Sequence, residues 1–147
     1  MRQLTIYSFC FIFLLSCNKS LNCKGDDEIK GEIIDDINLS CNYVGQQAND
    51  NTYIIKSLND LIPNSTSEEC ENSVNVDFNK YSIIGQRIDG QCKMKIIHDL
   101  KIDHDTKKYT LTSKVKECGF CKSQIISTRL LLVPAIPEDY SVEFEID

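Results

Sequence analysis

Two alternating stretches decide the fold: Cys92-Lys93-Met94-Lys95-Ile96-Ile97-His98-Asp99-Leu100-Lys101-Ile102 and, after a short polar segment, Tyr109-Thr110-Leu111-Thr112-Ser113-Lys114-Val115-Lys116. In the first stretch mostly apolar side chains recur at every second position, and charged side chains hold most of the others. A period of two is typical of a strand with one buried face, and a helix would not produce it. Pairing Ile102 with Tyr109 brings both apolar faces to one side, which predicts an antiparallel hairpin across the polar turn at 103–108.

The carboxyl-terminal half continues this strand pattern. The run from Ile125 to Val133 is apolar on both faces, which predicts a central strand, and Tyr140 to Ile146 alternates again. Cys118-Gly119-Phe120-Cys121 places glycine first in a two-residue loop, as a type II′ turn requires, so a second hairpin is predicted there. Tyr81 to Gln86 is a further candidate strand, and together these segments predict an antiparallel meander.

The amino-terminal half gives weaker patterns. The segment from Ile33 to Leu39 fits a short helix or a strand, and Tyr53 to Lys56 fits a strand. Ser57 to Ile62 predicts a short helix with Ser57 as its cap and Pro63 at its end. The predicted fold is mainly β, with α+β as the alternative: a disulfide-stapled antiparallel meander or sandwich with one or two short helices.

The chain begins like an exported protein. It has 147 residues, enough for one domain, which we place at residues 31–147. One positive charge at Arg2 is followed by an apolar run from Thr5 to Leu15 and a small residue, Ser16. This layout predicts a signal peptide over residues 1–16. The apolar run is too short to span a bilayer of roughly 30 Å.

Leu14-Leu15-Ser16-Cys17 resembles the lipobox of bacterial lipoproteins. The resemblance implies that the Cys17 thiol carries lipid, palmitate included, and holds the chain on a bilayer, because each buried methylene contributes about 0.8 kcal/mol. Residues 17–30 are then the lipidated cysteine and a polar tether. The expected location is the cell envelope, on the periplasmic or surface face of the outer membrane. The alternative is an ordinary secretory signal that contains a cysteine.

The charge balance limits the partners. Without Arg2 the chain has 15 basic and 22 acidic residues, a net charge of about −7. An acidic domain repels phosphate backbones, which argues against a nucleic-acid partner. The same charge argues against direct binding to anionic lipid headgroups.

Six cysteines remain once Cys10 leaves with the signal and Cys17 is acylated: Cys23, Cys41, Cys70, Cys92, Cys118 and Cys121. An even number in an exported chain predicts a disulfide framework. Strand phase favours the pair Cys118–Cys121, because the two side chains face each other across the predicted turn. The other expected pairs are Cys70–Cys92 and Cys23–Cys41, whereas joining Cys92 to Cys118 would require a bulge.

The sequence contains no convincing catalytic motif. His98 is in phase with the apolar face of its strand, which favours a hydrogen-bonded buried histidine, and Asp103-His104-Asp105 reads as a polar loop. Zinc would need a second pair of ligands at matching spacing, and the other cysteines are single. We therefore expect no catalytic residue, no metal and no cofactor.

Two stretches resemble known proteins. Val76-Asp77-Phe78-Asn79-Lys80-Tyr81-Ser82-Ile83-Ile84-Gly85, followed by Gly90-Gln91-Cys92-Lys93-Met94, is similar to the protease complex subunit family of bacterial envelope proteins. The ending from Leu131 to Phe144 is similar to uncharacterised lipoproteins of flavobacteria, a group of Bacteroidetes. The resemblance implies an envelope β domain associated with a protease, and it carries over no catalytic residues.

Three functions follow from these features. The first is a non-enzymatic envelope lipoprotein that binds a protein of unknown identity, with Phe120 at the stapled tip as a contact. The second is a periplasmic thiol–disulfide enzyme that uses Cys118 and Cys121, or a protease-associated regulator. The third is a structural or immunity-like surface protein with no single partner.

Overall fold

The computed structural model describes residues 27–37, 43–44, 46–49, 51–60, 62–63, 76–91, 93–118 and 123–147. The described part is mainly β, as predicted. Its strands are β1 (Glu28–Gly31), β2 (Asp35–Ile37), β3 (Tyr43–Val44), β4 (Gln46–Asn49), β5 (Thr52–Ile55), β6 (Ile62–Pro63), β7 (Tyr81–Gln91), β8 (Lys93–Asp103), β9 (Lys108–Cys118), β10 (Gln124–Pro134) and β11 (Ser141–Ile146). Within these ranges no helix is long and apolar enough to cross a membrane.

The four longest strands, β7 to β10, form one β-ribbon that is folded over on itself. β8 pairs with β9 down to Lys93 opposite Cys118, and β7 pairs with β10 from Gln91 opposite Gln124. β8 and β9 belong to one sheet, whereas β7 and β10 belong to another. Between these two pairs, the chain advances by two residues from Gln91 to Lys93, and by six residues from Cys118 to Gln124. The connection from β9 to β10 is therefore four residues longer than the connection from β7 to β8.

The two sheets extend outward from the folded ribbon. The first sheet has the order β1-β8-β9-β11, the second has the order β2-β10-β7-β5-β4, and β3 pairs with β6 in a small third sheet. β1 runs parallel to β8, and β11 runs parallel to β9. The first sheet is therefore mixed. Its two edge strands are parallel to their neighbours, whereas the sequence predicted an antiparallel meander.

Apolar side chains close the space between the two sheets. The buried cluster contains residues of both sheets and of the segment after β10: Ile84, Leu100, Tyr109, Leu111, Leu131, Val133 and Ile136. The other face of the second sheet has its own buried cluster, in which Leu130 packs with Ile55 and Ile83. Two buried faces explain why β10 is apolar on both sides from Leu130 to Val133, and its place between β2 and β7 confirms the predicted central strand.

A segment at residues 27–37, which we call the strap, joins the edges of the two sheets. It leaves β1 on the first sheet through Gly31, whose φ is +71°, and reaches β2 on the second. A side chain on Gly31 would overlap the Leu100 carbonyl oxygen, so glycine is required here for both its dihedral angle and its close approach. The Glu32 amide donates to the same Leu100 carbonyl at 3.0 Å, and the Ile34 amide donates to Leu132 at 2.9 Å.

The predicted hairpin is confirmed in its register. Ile102 lies opposite Tyr109 and Ile96 opposite Val115. The segment between Ile33 and Leu39, left open between helix and strand, contains the strand β2.

Three other predictions were wrong. The second hairpin does not form, because β9 and β10 lie in different sheets and the chain crosses between them after Cys118. The helix predicted from Ser57 is a single 3₁₀ turn over Leu58–Asp60, and Pro63 lies in β6. Asp60 caps this turn, because its carboxylate accepts the Lys56 and Ser57 amides at 2.8 and 2.9 Å. Residues 28–30, assigned to the tether, are part of β1.

Candidate functional site

A buried polar layer crosses the sandwich halfway along the ribbon. His98 on β8 lies opposite Ser113 on β9, and His98 Nδ1 is 2.8 Å from Ser113 Oγ. Ser113 Oγ donates to the Oε1 atom of Gln86, which comes from β7 of the other sheet, at 2.6 Å. All three side chains are buried, so this chain of hydrogen bonds ties the two sheets together within an apolar core.

The direction of these bonds fixes the protonation of His98. A serine hydroxyl has one proton, and Ser113 donates it to Gln86. The proton shared with His98 must then belong to the imidazole, so Nδ1 carries it and Nε2 holds a lone pair. Burial lowers the pKa of His98, Asp27 raises it, and Arg129 lowers it, with a net value below 6.5. The imidazole is therefore neutral at neutral pH.

His98 Nε2 has no hydrogen-bond partner within the described part of the chain. Among the described residues it is the one buried side-chain nitrogen or oxygen without a hydrogen bond, and His98 is only 1% exposed. A buried acceptor left unsatisfied costs roughly 1–3 kcal/mol. A ligand that donates a hydrogen bond to Nε2 would therefore remove this cost.

Beside His98, the guanidinium of Arg129 joins both ends of the strap to β10. Its Nη2 donates to Asp27 Oδ2 at 2.6 Å, and its Nη1 donates to Asp36 Oδ2 at 3.0 Å. Asp27 also accepts the Ile96 amide through Oδ1 at 2.8 Å. Two carboxylates thus share one guanidinium, so the three side chains together carry a net charge of −1.

The pKa of Asp27 reflects this setting. Partial burial raises it, but the hydrogen bond from the Ile96 amide and the Arg129 guanidinium together lower it by more, so the net pKa lies below 3.8. Asp27 is therefore ionised throughout the physiological range and remains an acceptor for Arg129.

These residues line a cavity of about 230 Å³ between the strap and the ribbon. The described residues that line it combine charged groups with His98 and two apolar side chains: Asp27, Ile29, Asp36, His98, Arg129 and Leu131. A Ser–His nucleophile does not fit this site, because Ser113 is fully buried and its proton points to Gln86. Within the described ranges no group of three or more His, Cys, Asp or Glu side chains could hold a metal ion.

A second depression, which we call the β11 cleft, lies on the other side of the sandwich and measures about 630 Å³. Ile88, Val115 and Ile146 provide its apolar side chains, and Arg87, Asp89, Glu117 and Asn51 provide the polar ones. Ile146 is 58% exposed. An apolar floor with a charged rim is the composition of many protein-binding sites.

The loop at His104 has a structural role. Asp103 Oδ1 accepts the amides of Asp105 and Thr106 at 2.9 and 3.1 Å, and His104 Nδ1 lies 3.1 Å from the Tyr140 hydroxyl. These bonds close the hairpin turn, whose last residue, Lys107, has a φ of +52°. The polar-loop interpretation of Asp103-His104-Asp105 is therefore confirmed.

Most of the site residues expected from the sequence lie outside the described residues: Cys17, Cys23, Cys41, Cys70, Cys92, Phe120 and Cys121. Cys118 is described, at the end of β9, and it is buried. Each of the three predicted disulfides involves at least one cysteine outside the described ranges, so all three stay predictions.

The Arg129 cluster was not predicted. Asp27 and Arg129 are 102 positions apart, and neither belongs to a local motif. One signal was present, because Arg129 is the single charged residue within the apolar run 125–133. A charge in a central strand requires a partner, and this would have directed attention to acidic residues elsewhere.

Comparison with known families, with curated proteins and with solved structures finds no match to this chain.

Proposed function

We propose that the chain is an exported envelope lipoprotein whose sandwich binds another protein through the β11 cleft. The observation that carries the proposal is the exposure of Ile146 next to Ile88 and Val115, within a charged rim. Burying a side chain of this size contributes about 1.5–3 kcal/mol, which makes Ile146 a natural anchor for a partner.

The position of β11 supports the same surface. β11 is the last strand of the first sheet, and within the described residues it pairs with β9 alone. An edge strand offers backbone donors and acceptors to an added strand, and pockets beside it select side chains. The cleft residue Glu117 directly precedes Cys118, after which the chain carries Phe120, so we propose Phe120 as a second contact.

A photo-crosslinking amino acid placed at position 146 in the native envelope tests the cleft. Leu58 is the matched control, because it is equally exposed at 58% and lies beyond the opposite end of β5 from the cleft residue Asn51. We expect one discrete crosslinked protein from position 146 and none from position 58. Ile146→Ser and Phe120→Ala should each reduce its recovery, whereas Leu58→Ser should not. Identical products at both positions would contradict the proposal.

Anchoring is proposed through acylation of Cys17, with export directed by residues 1–16 and disulfides Cys118–Cys121, Cys70–Cys92 and Cys23–Cys41 formed after export. A palmitate analogue should label the wild-type protein but not Cys17→Ser. The Cys17→Ser protein should be recovered in the soluble fraction. Cys23→Ser is the control and should remain labelled. An unlabelled wild type would contradict the lipid anchor.

A regulator bound to a protease is the variant of this proposal that the family resemblance favours, and the identity of the crosslinked protein distinguishes it. A thiol–disulfide enzyme is the weaker alternative, because Cys118 is only 6% exposed and a reactive thiol must be accessible. Reduction of insulin that Cys121→Ser abolishes would favour the enzyme over the binding module.

A further inference from the structure

The cavity under the strap has the chemistry of a ligand site, and it is separate from the β11 cleft. His98, its most buried polar residue, lines the cavity, and the buried Nε2 of His98 has no hydrogen-bond partner among the described residues. The opposite edge of the imidazole is already used, since Nδ1 bonds Ser113. The free position therefore cannot be satisfied by rotating the ring without losing the existing bond.

The remaining walls are rich in acceptors. Two carboxylates, Asp27 and Asp36, share one guanidinium, so the charged cluster keeps a net charge of −1. The neutral His98 adds a lone pair and no charge. Asp36 and Arg129 are both partly exposed, so the cavity is open to solvent on their side.

We propose that this cavity binds a primary ammonium group, which donates hydrogen bonds to His98 Nε2 and to the carboxylates that flank Arg129. An ammonium has three donors and one positive charge, and thus satisfies the free acceptor while neutralising the excess negative charge. Ile29 and Leu131 supply apolar contacts for the carbon attached to the nitrogen.

Two sources can supply this group: a free small amine or the end of a lysine side chain. A cavity of about 230 Å³ holds the head of either one. A metal ion is a poorer occupant, because the described residues provide no group of three suitable ligands. An anion would meet two carboxylates and one already paired arginine, so it is disfavoured as well.

The nitrogen spectrum of ¹⁵N-histidine-labelled protein tests the proposal directly. In the free protein we expect His98 Nε2 to be unprotonated. Addition of methylammonium should shift the Nε2 resonance in a saturable way, whereas tetramethylammonium, which carries the charge without a donor, should not. Nα-acetyl-lysine methylamide forms the second arm, and tighter binding of this compound than of methylammonium identifies a lysine side chain as the occupant.

Asp36→Asn should weaken methylammonium binding by about fivefold, the loss expected for one partly exposed charge contact. Asp35→Asn is the matched control, since it makes the same change on the same strand at a residue outside the cavity lining, and it should leave binding unchanged. A protonated Nε2, the absence of a shift with methylammonium, or an equal shift with tetramethylammonium would each overturn the proposal. All three results are read in folded protein and do not depend on the β11 cleft.

Discussion

The folded ribbon and the strap are held in place by different forces. The ribbon, residues 81–134, contributes most of the fully buried side chains, and its four strands pair along nearly their whole length. The strap, residues 27–37, is largely exposed. It is attached by short stretches of backbone pairing to β8 and β10 and by the Arg129 ion pairs.

This difference means that the two regions should open separately. Apolar burial supports the ribbon as a cooperative unit, whereas the strap adds little buried area of its own. Segments with few buried apolar contacts open locally, at a free energy below that of global unfolding. The cavity lies between the two regions, so access to it depends on the strap while its floor belongs to the ribbon.

Damage to the ribbon should have the largest effect. Leu100 is fully buried between the sheets, and Leu100→Ala should lower the free energy of unfolding by about 2–5 kcal/mol. Ile34→Ala is the control in the strap, and this exposed residue should change stability by about 0.5 kcal/mol or less. Urea denaturation measures both, and equal losses would contradict the division into two regions.

Damage to the backbone of the strap should come second. Gly31→Ala places a side chain against the Leu100 carbonyl at a positive φ, so we expect a local cost of about 1–3 kcal/mol. The amides of Glu32 and Ile34 should exchange faster with solvent, whereas the amides of β9, which does not pair with the strap, should not. Unchanged exchange at Glu32 would show that the strap tolerates the side chain.

The buried histidine predicts a smaller, pH-dependent effect. The folded pKa of His98 is below 6.5 because burial, opposed by Asp27 and aided by Arg129, disfavours the charged form. The unfolded chain then binds more protons, so stability is full above pH 6.5 and falls as the pH drops toward the folded pKa. His98→Gln should remove this loss, and His104→Gln, the control at the other histidine, should retain it.

The local part of the fold was predictable and the long-range part was not. The hairpin register followed from the alternation around Ile102 and Tyr109, because both the strand pattern and the turn are local. The pairing of β7 with β10 was missed, because a meander and a sandwich, both of which the prediction allowed, share the same period of two. At Cys118-Gly119-Phe120-Cys121 a local turn signal favoured a hairpin, whereas burial of both faces of β10 required a second sheet.

The site shows the same division. The inward position of His98 followed from its phase on the strand. Its free Nε2 did not, because that depends on Ser113 donating to Gln86 from the other sheet. The attachment of the strap through Arg129 joins positions too distant in the chain for any spacing pattern to reveal.

Residue-resolved amide exchange in Arg129→Gln tests most directly whether the strap is a separable element on a self-sufficient ribbon. The two ion pairs of Arg129 are partly exposed, so their loss should speed exchange at Glu32 and Ile34 by roughly fivefold to tenfold. Exchange at Leu111 and Ser113, which lie on β9 and are not paired with the strap, should stay as in the wild type. Unchanged strap amides, or an equal acceleration in strap and ribbon, would contradict the account.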